Sequence, residues 1–171
     1  AFDTVMHKLL EHDSNIFIVV IFEKEKPIWK QILLHRFRSV SEHHHRLIFV
    51  PTQSSVDFFR ITHASAFLLD PFPFGGGVTT LEALGACKAV VTLPTNQSVP
   101  RLTAGMVQKM GMDHVLTADS IEDYLNKSKK LLDINYRTEV EKEICLRRKH
   151  LYDQMDAVRE WENLFKIISR G

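Results

Sequence analysis

The sequence predicts an α/β fold, a Rossmann-like parallel sheet with helices on both faces, followed by a long helical C-terminal tail. Three observations predict it. Short apolar runs rich in β-branched residues alternate with segments of helical period, the pattern of right-handed β-α-β units. The run N-I-F-I-V-V-I-F at residues 15–22 is apolar almost throughout, as expected of a strand covered on both faces. Residues 67–84, F-L-L-D-P-F-P-F-G-G-G-V-T-T-L-E-A-L, read as a strand, a glycine loop and the start of a helix.

Taken in order, Phe2, Val5, Met6, Leu9 and Leu10 recur at helical spacing and predict an amphipathic helix over residues 2–11. The strand at 15–22 follows. Pro27 suits a first helical position, and Trp29, Ile32, Leu33 and Phe37 form one face of a helix to about Arg38. Residues 46–50, R-L-I-F-V, predict a second strand ended by Pro51. Ser54 or Ser55 caps a short helix to about Ile61, and residues 64–69 predict a third strand. Helix is expected over 78–86, a fourth strand over 89–93, helix over 100–110 and a brief strand over 114–117. Ser120 caps the next helix, with Glu122 and Asp123 in its first turn. Residues 136–168 are charged and helical, in one or two pieces, with Trp161, Leu164 and Phe165 as expected anchors.

Composition narrows the function classes. A chain of 171 residues, 44% hydrophobic and 25% charged, has the makeup of an ordinary globular domain rather than a disordered or fibrous one. A net charge of +1 without a basic block argues against nucleic acid, and no apolar run approaches the roughly 20 residues that cross a bilayer. Cys87 and Cys145 stand far apart, so free thiols in a reducing, cytoplasmic setting are the simpler expectation, with one disulfide as the alternative. His43, His44 and His45 are adjacent in a loop and cannot all face one ion, so they are expected in solvent.

In sheets of this kind ligands sit beyond the carboxyl ends of the strands, which marks the loops 51–55, 71–77 and 94–101. The middle loop carries the chemistry. Gly75, Gly76 and Gly77 let the backbone approach a ligand, and the helix that follows offers unpaired N–H groups and a positive dipole end, a site for phosphate. Thr79 and Thr80 add hydroxyl donors, and Glu82 can accept from a pair of sugar hydroxyls. The same text also suits a tight turn before a capped helix with no ligand. Asp70, at a strand end before Pro71, is expected to order the loop.

The segments R-L-I-F-V-P, the glycine stretch, V-V-T-L-P with Arg101 after it, and M-V-Q-K-M-G-M stand in an order that resembles the C-terminal half of the O-linked N-acetylglucosamine transferase family, glycosyltransferase family 41. The resemblance runs from the first helix to about Tyr124 and continues more weakly through the tail. It implies a GT-B glycosyltransferase, with residues 1–132 as the nucleotide-sugar-binding lobe lacking its first strand, and 133–171 as a helical extension packing on that lobe. In relatives a strand and a phosphate-binding Lys precede the helix with which this sequence opens.

Carried over by position, the resemblance gives Gly75–77, Thr79 and Thr80 to the donor diphosphate and Glu82 to the ribose. Gln53 falls where relatives contact uracil, and Phe58 where a His stacks on it. Arg101 is given the catalytic position, facing phosphates or acceptor. Val78 stands where metazoan members have His, Ser55 where they have a phosphate-contacting Lys, and Ala89 where the family has Pro. The implied function is UDP-sugar binding within an inverting transferase acting on protein Ser or Thr, with no metal and no resident cofactor. The implied acceptor, a protein or peptide, would reach the site through an N-terminal lobe. Val78, the missing phosphate Lys and the short chain leave open an inactive nucleotide-binding or interaction module, and sugar-nucleotide epimerisation is a third reading.

Overall fold

The computed structural model describes residues 1–96 and 98–169. Four parallel strands and nine α-helices, counted among these residues, build an α/β lobe and a helical tail. Helix α1 (Phe2–His12) leads to β1 (Ile18–Phe22), α2 (Pro27–Arg38) and β2 (Leu47–Pro51). Then come α3 (Ser55–Ala64), β3 (Leu68–Leu69), α4 (Val78–Gly85), β4 (Val90–Val91) and α5 (Ser98–Lys109). The chain ends with α6 (Asp113–Leu116), α7 (Ile121–Lys130), α8 (Ile134–Arg147) and α9 (Met155–Ile168).

The parallel strands form two pairs. β1 runs beside β2, with Ile18 opposite Leu47 and Phe22 opposite Pro51, and β3 runs beside β4, with Leu68 opposite Val90. Thr92 and Thr117 add an isolated parallel bridge to the second pair. Between the pairs lies an apolar cleft of about 920 Å3, walled by residues of β1, β3, α1 and α3. Helix α1 spans it. Val5 and Leu9 enter the large core around Val90, Val91, Leu116 and Tyr124, whereas Met6 and Leu10 enter a smaller core with Phe37 and Leu47. Buried Arg46 fastens the end of α1, donating to the carbonyls of Leu10, Asp13 (2.7 Å) and Ile16 (3.3 Å).

Several expectations change. The strand foreseen at 64–69 shrinks to Leu68–Leu69, because α3 continues through Ala64 and closes with Ser65 Oγ donating to the Ile61 carbonyl at 2.8 Å. Residues 114–116 are helical rather than extended, since the Met112 carbonyl accepts from Val115 and Leu116 N–H, and only Thr117 is extended and keeps a bridge. The histidine triplet forms a 3-10 turn, Glu42–Arg46, in which His43 and His44 are half-buried and only His45 is exposed. Cys87 and Cys145 are joined in a disulfide, with Cα atoms 4.9 Å apart, not free thiols.

The tail has two parts. α8 is docked by buried Val140 and Ile144, whereas Trp161, Leu164 and Phe165 on α9 lie exposed and anchor nothing among the described residues. No helix among the described residues is long and apolar enough to cross a membrane.

Candidate functional site

The glycine loop lies at the carboxyl end of β3 and is organised around one carboxylate. Asp70, only 4% exposed, follows directly on Leu69. Its Oδ1 accepts the Gly76 N–H at 2.6 Å and its Oδ2 accepts the Thr92 hydroxyl at 2.7 Å. A β-carbon on Gly75 would come within 2.8 Å of Asp70 Oδ1, so the loop can wrap the carboxylate only because that residue is glycine. Gly76 is similarly confined: a Cβ there would sit 2.7 Å from Thr80 Oγ1 and 2.9 Å from Thr79 Oγ1.

Burial pushes the Asp70 carboxyl above its ordinary range, and hydrogen bonding from Gly76, Thr92 and Thr103 opposes that rise. Beneath it, the fully buried Tyr124 hydroxyl donates to the Asp70 carbonyl at 3.1 Å. Burial first, and then the nearby Asp70 charge, hold the Tyr124 phenol well above its usual value. The two rings of the P-F-P-F segment divide: Phe72 packs edge-on against Tyr124 and Phe2, while Phe74 points outward at the rim.

α4 opens from Gly77, and its first intrahelical bond runs from Leu81 N–H to the Gly77 carbonyl at 3.1 Å. The N–H groups of Val78, Thr79 and Thr80 precede that bond, so helix geometry leaves them without intrahelical acceptors. Thr79 is exposed at this mouth, but Thr80 is buried and shares a 2.9 Å hydrogen bond with Thr103, whose hydroxyl donates to the Gly76 carbonyl at 3.1 Å. Outward-facing donors are therefore concentrated on the first turn of α4 and the Thr79 hydroxyl. Gly76 N–H and the Thr80 hydroxyl serve the loop itself. A cleft of about 280 Å3 runs from Leu68, Asp70 and Phe74 past Gly75 and Gly76 to Thr79 and Thr80.

The remaining expected positions surround this centre unequally. Glu82 is exposed on the second turn of α4. Arg101 is exposed on α5, next to Leu102 and Thr103, which meet the loop. Gln53 is half-buried and its side-chain amide donates to the Pro51 carbonyl. Phe58 is also half-buried and lines the large cleft between the strand pairs rather than the smaller one at the glycine loop. Residue 97 lies outside the described residues, as do the side chains of 98–100, so the third candidate loop is described only in part. Sequence reasoning missed the supports Thr92, Thr103 and Tyr124, each distant in sequence from Asp70. Among the described residues, no group of three or more His, Cys, Asp or Glu side chains is placed to hold a metal ion.

An α/β lobe with parallel strands, a glycine loop closing onto a helix and a helical extension has the fold of the C-terminal part of a GT-B glycosyltransferase. The solved structure that carries this comparison is a mutant O-GlcNAc transferase from Thermobaculum terrenum, matched with a TM-score of 0.84 over 95% of this chain at 20% identity. This chain spans 32% of the length of that one. No family model and no curated protein sequence matches the chain.

Proposed function

We propose that this chain is the nucleotide-sugar-binding part of a UDP-sugar-dependent glycosyltransferase that transfers to protein Ser or Thr hydroxyls, as in the O-GlcNAc transferase family. The observation that carries the reading is the strand, glycine loop and helix of residues 68–85 inside a fold that matches an O-GlcNAc transferase over 95% of the chain. Free amides at a helix N-terminus, with the positive end of its dipole, are suited to a diphosphate.

In this reading the amides of Val78 to Thr80 and the Thr79 hydroxyl hold the diphosphate. Gly75, Gly76, Gly77 and Thr80 shape the loop, and Glu82 accepts from the ribose. Gln53 and Phe58 would serve the base. The acceptor hydroxyl attacks the anomeric carbon, the bond to the diphosphate breaks and the configuration inverts. Fixed donors, with Arg101 in the catalytic position, stabilise the charge on departing UDP without a metal, which is preorganised electrostatics. The acceptor-side lobe and the strand expected before α1 would come from a longer polypeptide, the strand entering the cleft between β1 and β3. A cytoplasmic location belongs to the same proposal. The second reading, an inactive nucleotide-binding module, is favoured by one detail: Gly76 N–H and the Thr80 hydroxyl are already engaged within the loop.

The test is UDP titrated into the protein and followed by calorimetry and amide NMR. Binding with shifts confined to residues 76–82, weakened about tenfold by Thr79→Ala or Arg101→Ala, is the expected result; a tenfold loss corresponds to about 1.4 kcal/mol. Binding with shifts elsewhere, or affinity unchanged in both variants, would refute the assignment of this loop. UDP binding without sugar transfer by the full-length protein would select the second reading.

A further inference from the structure

Helix α4 has a second end, and that end is fastened by sulfur. The helix closes with Cys87 N–H donating to the Leu84 carbonyl at 3.0 Å and Lys88 N–H to the Ala83 carbonyl at 2.9 Å. This is the bond pair of a Schellman closure, and Cys87 takes its left-handed position at φ 63°. Glycine is the favoured residue there, because a β-carbon crowds the following carbonyl. A cysteine in that place puts its sulfur toward α8, where Cys145 receives it. Cys145 itself is exposed and half-buried Cys87 fills little of the core, although unpaired cysteines ordinarily behave as buried apolar residues. Neither cysteine sits where packing calls for it; both sit where the bond calls for them.

We propose that Cys87–Cys145 is a reversible thiol–disulfide clasp whose redox state sets how firmly α4, and with it the glycine loop, is held. Three polar contacts accompany the bond on the same face. The Tyr152 hydroxyl donates to the Leu81 carbonyl, Arg148 donates to the Gly85 carbonyl, and Lys88 pairs with Glu141 at 3.1 Å. All three partners lie within residues 141–152, the stretch that the disulfide ties at Cys145. α8 remains docked by Val140 and Ile144, and α4 by Ala83 and Leu84, whether or not the bond exists, so breaking it loosens the Gly85–Lys88 turn between the two helices rather than either helix. α4 has only eight residues and is about 12 Å long, so its loosened end and the Gly76–Thr80 contacts are two turns apart.

An exposed disulfide is open to attack by a thiolate. A dithiol reductant attacks the Cys145 sulfur, forms a mixed disulfide with it and expels Cys87 as a thiolate that takes up a proton. The second thiol of the reductant then closes on the first, releasing Cys145 as a thiol. Two electrons pass to the protein, and the reductant leaves as its own disulfide. In a reducing compartment such a bond is transient, which is what a switch requires.

The test compares the oxidised protein, the protein reduced with dithiothreitol, and the same sample reoxidised, by alkylation mass spectrometry and backbone NMR relaxation. The oxidised form should resist alkylation at both cysteines and the reduced form should take two alkyl groups. On reduction the order parameters at residues 85–88 should fall from about 0.85 toward 0.6 or below, while those of Ala83, Leu84, Val91 and Tyr124 stay high, and reoxidation should restore them. Cys145→Ser should show the reduced pattern under oxidising conditions. Alkylation of both cysteines in the untreated protein, unchanged order at 85–88 after reduction, or global unfolding on reduction would each overturn the proposal, the last by making the bond a plain staple. A UDP arm rests on the function proposed above: affinity should fall at least threefold on reduction. Failure to bind UDP in either state would count against that function alone, and equal affinity in both states would overturn the coupling to the loop.

Discussion

Removing the Asp70 carboxylate is the sharpest perturbation of the candidate site. Asp70→Ala leaves the half-buried Gly76 N–H and the buried Thr92 hydroxyl without their acceptor. An orphaned buried donor costs about 1–3 kcal/mol, so the pair predicts a loss of about 2–6 kcal/mol. Asp70→Asn keeps one oxygen for Gly76 and should cost less. The two variants also separate by pH. Because burial raises the Asp70 pKa above its ordinary value of 3.8, the folded protein holds that proton more tightly than the unfolded chain does. The resulting stability is fully present below pH 3.8 and is lost as pH rises through the raised folded value. The Asn variant lacks this dependence, so its deficit relative to wild type should be larger near pH 4 than at pH 7. Urea denaturation of the three proteins between pH 4 and pH 7.5 measures it. A cost of Asp70→Ala below about 1 kcal/mol would refute the loop-organising role. A deficit of Asp70→Asn that grows with pH would show that the carboxylate is stabilised in its charged form, contrary to the burial argument.

Three further outcomes are expected. The disulfide closes a 58-residue separation, for which chain entropy gives about 4 kcal/mol, so calorimetry should find the reduced protein melting roughly 8–17 °C lower. Gly75→Ala drives a methyl group to within 2.8 Å of Asp70 and should destabilise by about 1–3 kcal/mol, whereas Gly105→Ala, with nothing within 4 Å and a place inside α5, should stabilise by about 0.5–1 kcal/mol; denaturant midpoints of the two variants give the comparison. Stopping the chain after Gln154 removes α9, none of whose residues is buried, and should change stability by no more than about 0.5 kcal/mol in the same assay.

The parts of this fold that were legible in the sequence are those written in local chemistry. The apolar, largely β-branched run at 15–22 announces a strand, though only Ile18–Phe22 is extended and Val19 is exposed, so it is not covered on both faces; Ser54 and Ser120 announce helix starts through side chains that accept from Asp57 and Asp123 N–H. Asp70 before Pro71 is readable as a loop organiser from residue type alone. Its partners are not, because Thr92 reaches its carboxylate from just beyond β4, and Thr103 on α5 reaches the Gly76 carbonyl of the same loop, both from segments more than 20 residues later. The end of α4 misleads in an instructive way. Gly85 stays helical, where a Cβ would stand 2.7 Å from the Tyr152 hydroxyl, and the left-handed turn falls on Cys87, a residue type that does not announce one. Both facts depend on a segment more than 55 residues later, as does the disulfide. V-L-T at residues 115–117 has strand composition but lies within the closing turn after Gly111, where Met112 supplies its carbonyl twice. The amphipathic tail predicts a helix correctly and says nothing of whether its apolar face is covered.

The division of the strands into two pairs changes how this molecule holds together as a single unit. No ladder of backbone bonds runs between β1 and β3 among the described residues, so the hydrogen-bonded sheet cannot carry cooperativity across the domain. The principal link is α1, whose residues 5 and 9 belong to one core and whose residues 6 and 10 belong to the other, two stripes about 100° apart on the same cylinder. All-or-none unfolding therefore depends on an eleven-residue helix with an apolar contact on each of two flanks. If α1 frays, each strand pair is left with its own core and its own melting point, and one domain becomes two neighbours on a string.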